Sequence, residues 1–257
     1  MKPEEFQYVY ELEEKFWWFT GMRAVTAALL AQAAPHLVHP GSRGVRALDV
    51  GCGTGFMLQW LERYTGGTPI VGLDYSSDGL AFCRRRGHAL LVRASATELP
   101  FATSSFDLVT SFEVLDELAD DRPGFDEVAR VLRPGGWLLV RLPALEWLRS
   151  RHDSAMHTHR RTTAGELKAK LEARGLVVER STYANSLLLP LVAAVRGARR
   201  LLPGEESRGS DVRPMPVGLA WIEPIFRGCL LAEARFLARP GARLPLGVSA
   251  ICLARKV

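Results

Sequence analysis

The 257-residue sequence has no long apolar run, no closely paired cysteines and no tract of simple composition. Its greasiest stretch, "LLLPLVAAV" at Leu187 to Val195, is interrupted by a proline and reaches about half of the roughly 20 residues that a membrane span requires. The opening "MKPEEFQYVYELEEK" has no apolar core of the secretory kind, so a cytoplasmic location without stable membrane insertion is expected. Cys52, Cys83, Cys229 and Cys252 form no CxxC pair, which argues against a zinc or disulfide framework. Charge of one sign is scarcely in excess, with 33 Lys and Arg against 28 Asp and Glu. The short arginine clusters, Arg84 to Arg86 among them, are not interleaved with aromatics as a nucleic-acid groove would be, so no nucleic-acid partner is expected. No feature of the pattern sets an oligomeric state.

What is present fits a soluble globular enzyme, since 47% of residues are apolar and 24% charged. From Arg46 the chain alternates strand-like and helix-like segments. "RALDV" and "PIVGLD" are followed by "FMLQWLERY" and "SDGLAFCRRRG", then by "ALLVRA", "FDLVTSF", a helix around Pro123 to Val131 stopped by "RPGG", and "WLLVRLP". Such alternation predicts a mostly parallel sheet with helices on both faces. "TAGELKAKLEARG" reads as a capped helix, and "LVVERSTYA" and "VSAICLARK" as the last two strands of seven. The expected division is a helical cap over residues 1–43, a core over 44–184, a helical insertion over 185–246 and a final strand over 247–257. A connection as long as this insertion is more often functional than decorative.

Strand "RALDV" runs into "LDVGCGTGF", Leu48 to Phe56. Glycines let the backbone turn tightly and approach a ligand without a Cβ in the way. The spacing is GxGxG, whereas a dinucleotide loop reads GxGxxG. The carboxylate of Asp49 before the loop suits a cofactor with positive charge better than a pyrophosphate.

Over Arg46 to Pro143 the chain resembles the class I S-adenosylmethionine-dependent methyltransferases of the small-molecule, type 11-like group, whose first motif reads (V/L)DxGxGxG. The resemblance implies a Rossmann-like α/β fold, with S-adenosylmethionine as cofactor and S-adenosylhomocysteine as product. It places Asp49, Gly51, Cys52 and Gly53 around the methionine part, Asp74 on both ribose hydroxyls, Tyr75 against the adenine, and Phe112 beside the cofactor. In "ASATELPF" Ser95 replaces an aspartate that accepts from the adenine amino group, leaving the backbone near Ala96 and Thr97 to help. Gly79 stands where the family often has a methionine-like side chain under the adenine.

The methyl acceptor is expected beyond the carboxyl ends of the strands. The opening segment reads as a polar helix, and four consecutive aromatics in its "EKFWWFTGMR" cannot share one helix face, so Trp17 or Trp18 is expected at the acceptor while others pack on the sheet, with Arg23 and Glu113 also on the acceptor side. In "SRHDSAMHTHRR" a metal is disfavoured for want of a helical i, i+4 histidine pair or a distant fourth ligand. No metal is expected, and His157 and His159 are the candidates for a general base. "DELADDR" reads as a solvated helix end. The expected activity is methylation of oxygen, nitrogen or carbon on a small molecule, apolar because the insertion is apolar, and the absence of (N/D)PPY after "DLVT" speaks against planar exocyclic amines in nucleic acid. The alternatives are a cyclase-like enzyme binding the same cofactor, a dehydrogenase, or a non-catalytic protein docking on membranes or partners.

Overall fold

The structure, a computed structural model, describes residues 3–37, 44–201 and 217–257. The linker "PGEESRGSDVRP" lies outside them. Two helices come first, α1 (Pro3–Leu12) and α2 (Trp17–Leu37). The alternating part follows as β1 (Ala47–Val50), α3 (Phe56–Leu61), β2 (Val71–Asp74), α4 (Ser77–Arg85), β3 (Leu91–Arg93), β4 (Phe106–Phe112), α5 (Arg122–Val131) and β5 (Leu132–Pro143). Then come α6 (Arg151–Ala155), α7 (Ala164–Glu172), β6 (Leu176–Ala184), α8 (Leu189–Leu201), α9 (Glu223–Leu237) and β7 (Ser249–Lys256).

The strands form one seven-stranded sheet in the order β3-β2-β1-β4-β5-β7-β6. β1 to β5 pair in parallel, and β7 runs antiparallel to both β5 and β6. Successive strand residues alternate between two cores, as a period of two requires. Val109, Val140 and Cys252 join Phe125 of α5 and Leu167 of α7 on one face. Leu108, Leu139 and Leu253 join Leu29 of α2 and Leu230 of α9 on the other. With both faces covered, the strands read as nearly unbroken apolar runs.

Two local expectations are corrected. The first residues do not make one polar helix through the aromatics. α1 stops at Leu12, the chain turns, and α2 begins at Trp17. Arg23 donates to the backbone carbonyls of Glu13 and Glu14 just past α1, groups that a helix end otherwise leaves unsatisfied. "RPGG" is no stop before the strand but part of β5, where the pairing with β4 shifts between Phe106 and Leu108.

α2 packs beside α9 at a point where neither could be bulkier. A Cβ on Gly21 would lie 2.4 Å from Leu230 Cβ. Among the described residues no helix is long and apolar enough to cross a membrane. Gly21→Val is expected to destabilise the protein by ~1–3 kcal/mol in denaturant unfolding, because overpacking forces the two helices apart. Gly197→Ala in α8, where an added Cβ meets nothing within 4 Å, is expected to be neutral or stabilising by ~1 kcal/mol at most.

Candidate active site

At the end of β1 the backbone passes through Gly51, Gly53 and Gly55 at φ of +80°, +54° and +86°, left-handed values that any side chain would strain. Under the loop there is no room, since a Cβ on Gly51 would fall 2.0 Å from Val114 Cγ2. Over Gly53 there is only open space. The Gly53 amide donates to one oxygen of Asp74 and the Ser76 amide to the other, each at 2.8 Å. Two backbone donors thus fix the carboxylate at the end of β2, and its burial raises its pKa. Asp49 is buried beneath the loop, accepts from Thr110 at 2.6 Å, and is pushed up to about 7 by desolvation.

A cavity of about 860 Å³ opens over the carboxyl ends of the strands. Asp49, Gly51, Cys52, Gly53, Asp74 and Tyr75 line it, as do Ser95, Ala96 and Phe112. Thr97 is not in its wall, because its hydroxyl and amide are turned to the Ser95 hydroxyl, at 2.7 and 3.2 Å. Tyr75 is 74% exposed. Trp17, Trp18, Arg23 and Glu113 are wall residues too. Phe16 is buried, and Trp17 packs edge-on against Phe226 of α9 at 5.2 Å, so the aromatic run serves core and wall together. Of the two histidines named as bases, His157 lines this cavity, whereas His159 is not in its wall and lines a smaller pocket with His157 and Glu117. Among the described residues no group of three His, Cys, Asp or Glu side chains could hold a metal.

The sequence does not single out the part played by α1. Phe6 lines the cavity and stands over Gly79, where an added Cβ would be 3.0 Å from its ring. A ring from α1 therefore occupies the space that a side chain on α4 would need. Behind it, the buried carboxylate of Glu13 accepts from Thr54 of the glycine loop at 2.5 Å and from Arg86 at 2.8 Å. Desolvation outweighs both partners and pushes Glu13 up to about 7. These contacts join residues 41 and 73 positions apart, and no local pattern announces them.

The other half of the cavity lies past β4, at the ends of β5 and β7 and along α8, with Pro143, Val192 and Val248 in its wall. Arg141 of β5 is buried here, ion-paired through Nε to Glu113 at 2.9 Å. A lone arginine in the apolar run "WLLVRLP" was its one visible signal. Arg161 is paired with Asp153 at 2.8 Å, both buried. The segment carrying His157 is tied to the end of β4 by the His159 amide, which donates to the Asp116 carbonyl at 2.9 Å. Asp116 itself is buried rather than solvated, and burial holds its pKa well above the carboxylate range. Three of the five non-glycine residues with positive φ among the described residues, Glu113, His157 and Asn185, line this cavity, and backbone strain of that kind tends to gather at functional sites.

Residues 48–140 match the family model described as a methyltransferase domain. The fatty-acid O-methyltransferase of Mycolicibacterium smegmatis is 39% identical over 44% of this chain and 44% of its own length. A phthiotriol/phenolphthiotriol dimycocerosates methyltransferase of Mycobacterium ulcerans is 33% identical over 66% and 64%. These likenesses support a class I S-adenosylmethionine-dependent methyltransferase. It spans 44% and 64% of the length of these two relatives. The crystal structure of a methyltransferase of the same cofactor dependence from Mesorhizobium loti superposes with a TM-score of 0.53 at 21% identity, covering 90% of this chain and 100% of that one, a likeness of fold.

The family's cofactor fits this methyltransferase fold. Gly53 leaves open space where any side chain would intrude, and the Asp74 carboxylate is held by backbone donors at the wall with lone pairs to spare for hydroxyl donors. S-adenosylmethionine supplies an electrophilic methyl group on a sulfonium. The residues around it supply hydrogen bonds, negative charge and exclusion of water.

Glu13 gives this lobe a pH dependence. Its folded pKa of about 7 lies above the ordinary value of 4.5, so the native state keeps a proton that the unfolded chain releases. Its contribution is present below about pH 4.5 and is lost as pH rises through about 7, a fall of about 3 kcal/mol. Glu13→Gln keeps an acceptor for Thr54 and Arg86 but cannot titrate. Across this window its stability by chemical denaturation is expected to fall less than that of the wild type, by about that amount.

Proposed function

We propose that the chain, acting in the cytoplasm, transfers a methyl group from S-adenosylmethionine to a small apolar acceptor such as a lipid or natural-product intermediate. One observation carries this reading. A single cavity runs from Asp74 and the glycine loop, past Phe112 and Glu113, to Trp17, Trp18, Val192 and Val248. The relatives' names, which include fatty acids and mycocerosate lipids, support an apolar acceptor. In this reading Asp49, Gly51, Cys52 and Gly53 hold the methionine part, Asp74 the ribose, and Tyr75, Ser95 and Ala96 the adenine, with Thr97 acting through Ser95. In the same reading the described residues of 1–43 and 185–246 cap a core of 44–184 that the strand at 247–257 completes.

A sulfonium leaves readily, so holding nucleophile, methyl carbon and sulfur in line supplies much of the ~7–11 kcal/mol that orientation can contribute. Oxygen, nitrogen and carbon acceptors share that requirement. For a hydroxyl acceptor, His157, which lines the cavity together with His152, is the candidate to take the proton. Cyclisation on the same scaffold is less favoured, because the relatives in sequence bear methyltransferase names. Product mass separates the two, since methyl transfer adds one methylene and cyclisation adds nothing.

Asp74→Ala is expected to weaken S-adenosylhomocysteine binding by more than about tenfold, because charge-assisted hydrogen bonds to ribose contribute beyond ~1.4 kcal/mol. Titration calorimetry measures this directly, and an unchanged affinity would remove the cofactor from this site.

A further inference from the structure

Arg141 sits in a strand whose neighbours Val140 and Leu142 are buried and apolar. Its guanidinium lies between two aromatic rings, 4.9 Å from the centre of Phe112 and 5.3 Å from that of Trp18. Nε donates to Glu113 at 2.9 Å. Glu113 is locked against it, in a left-handed backbone conformation at φ +57° with its amide donating to the Arg141 carbonyl. Taking a guanidinium out of water is costly unless its donors are used, and here only Nε has a hydrogen-bond partner among the described residues. The terminal nitrogens belong to a side chain that lines the cavity. A planar fork oriented by two rings and a carboxylate, with its outer edge unpaired, is a receptor for two coplanar oxygens.

The position of Arg141 says which ligand it reads. In the sheet order β2-β1-β4-β5, the glycine loop and Asp74 follow β1 and β2, whereas Arg141 is on the far side of β4. The neighbouring cation Arg161 is already engaged by Asp153 and the Ala144 carbonyl. Glu113 and Asp153 in the same wall disfavour a dianion such as a phosphate monoester.

We propose that Arg141 binds the carboxylate of the methyl acceptor, and that the acceptor is an apolar carboxylic acid whose tail lies along Trp17, Trp18, Val192 and Val248. The proposal rests on the methyl-transfer reading and narrows it. The acceptor's carboxylate oxygen attacks the methyl carbon; a C–O bond forms as the C–S bond breaks, and the bonding pair goes to sulfur. The products are a methyl ester and S-adenosylhomocysteine. One negative and one positive charge cancel, no proton moves, and no general base is required.

Calorimetry on the protein saturated with S-adenosylhomocysteine tests this with dodecanoate, dodecanol and dodecylamine. Dodecanoate is expected to bind more than about tenfold tighter than either, the yield of one charge-assisted pair. Arg141→Gln should erase that preference while leaving affinity for S-adenosylhomocysteine unchanged, and Arg141→Lys, which keeps charge without the fork, should restore only part of it. Equal binding of acid and alcohol by the wild type overturns the proposal, as does a preference that survives in Arg141→Gln. A fall in S-adenosylhomocysteine affinity in that variant would assign Arg141 to the cofactor and also overturn it. Should Arg141→Gln not fold, the wild-type comparison decides alone. Absence of S-adenosylhomocysteine binding in the wild type refutes the methyl-transfer reading itself, whereas binding without acid preference refutes only this step.

Discussion

One buried carboxylate joins the helical segment to the cofactor loop. Glu13, at the turn between α1 and α2, accepts from Thr54 of the glycine loop and from Arg86 just beyond α4. Arg86 in turn donates to the carbonyls of Tyr10 and Thr54. A charge or dipole out of water must be satisfied or its burial is unfavourable by several kcal/mol, so these groups hold one another in a single arrangement. The position of Phe6 over Gly79, and with it the shape of the cofactor half of the cavity, follows from that knot.

The acceptor half is built differently. There the rigid ends of β4 and β5 present Phe112, Glu113 and Arg141, while Trp18 reaches over from α2 and Val192 from α8. Strand ends hold a site more accurately than loops do. The left-handed backbone at Glu113 is tolerated because the Arg141 carbonyl and side chain both bind it. Cofactor and acceptor halves thus rest on different supports, a buried polar knot on one side and an aromatic clamp on the other. They meet at β4.

The parts of the site that could be read along the chain were those in which neighbours in sequence are neighbours in space. "LDVGCGTGF" announces a tight left-handed loop because only glycine relaxes at those angles, and Asp74 announces itself by ending a strand. Apolar runs punctuated by Gly-stopped helices announce a covered sheet. Thr97 and His159 show the limit. Both lie within two residues of a wall residue, yet a hydrogen bond to Ser95 and the turn of the chain after His157, at φ +59°, keep them from the main cavity. The break after α1 has no local sequence signal, because the group that binds the carbonyls past its end, Arg23, belongs to the following helix.

By itself the sequence determined the order of strands and helices and the glycine loop with its flanking acids, since backbone preference and hydrophobic period are local properties, and the family resemblance carried by those motifs implied the cofactor class. Only the tertiary structure decided that Phe6 stands over Gly79, that Glu13 is buried with Arg86, and that Arg141 is stacked between Trp18 and Phe112 with Glu113 at its side. Those arrangements depend on desolvation and on contacts between distant residues, and neither exists until the sheet and its helices are packed.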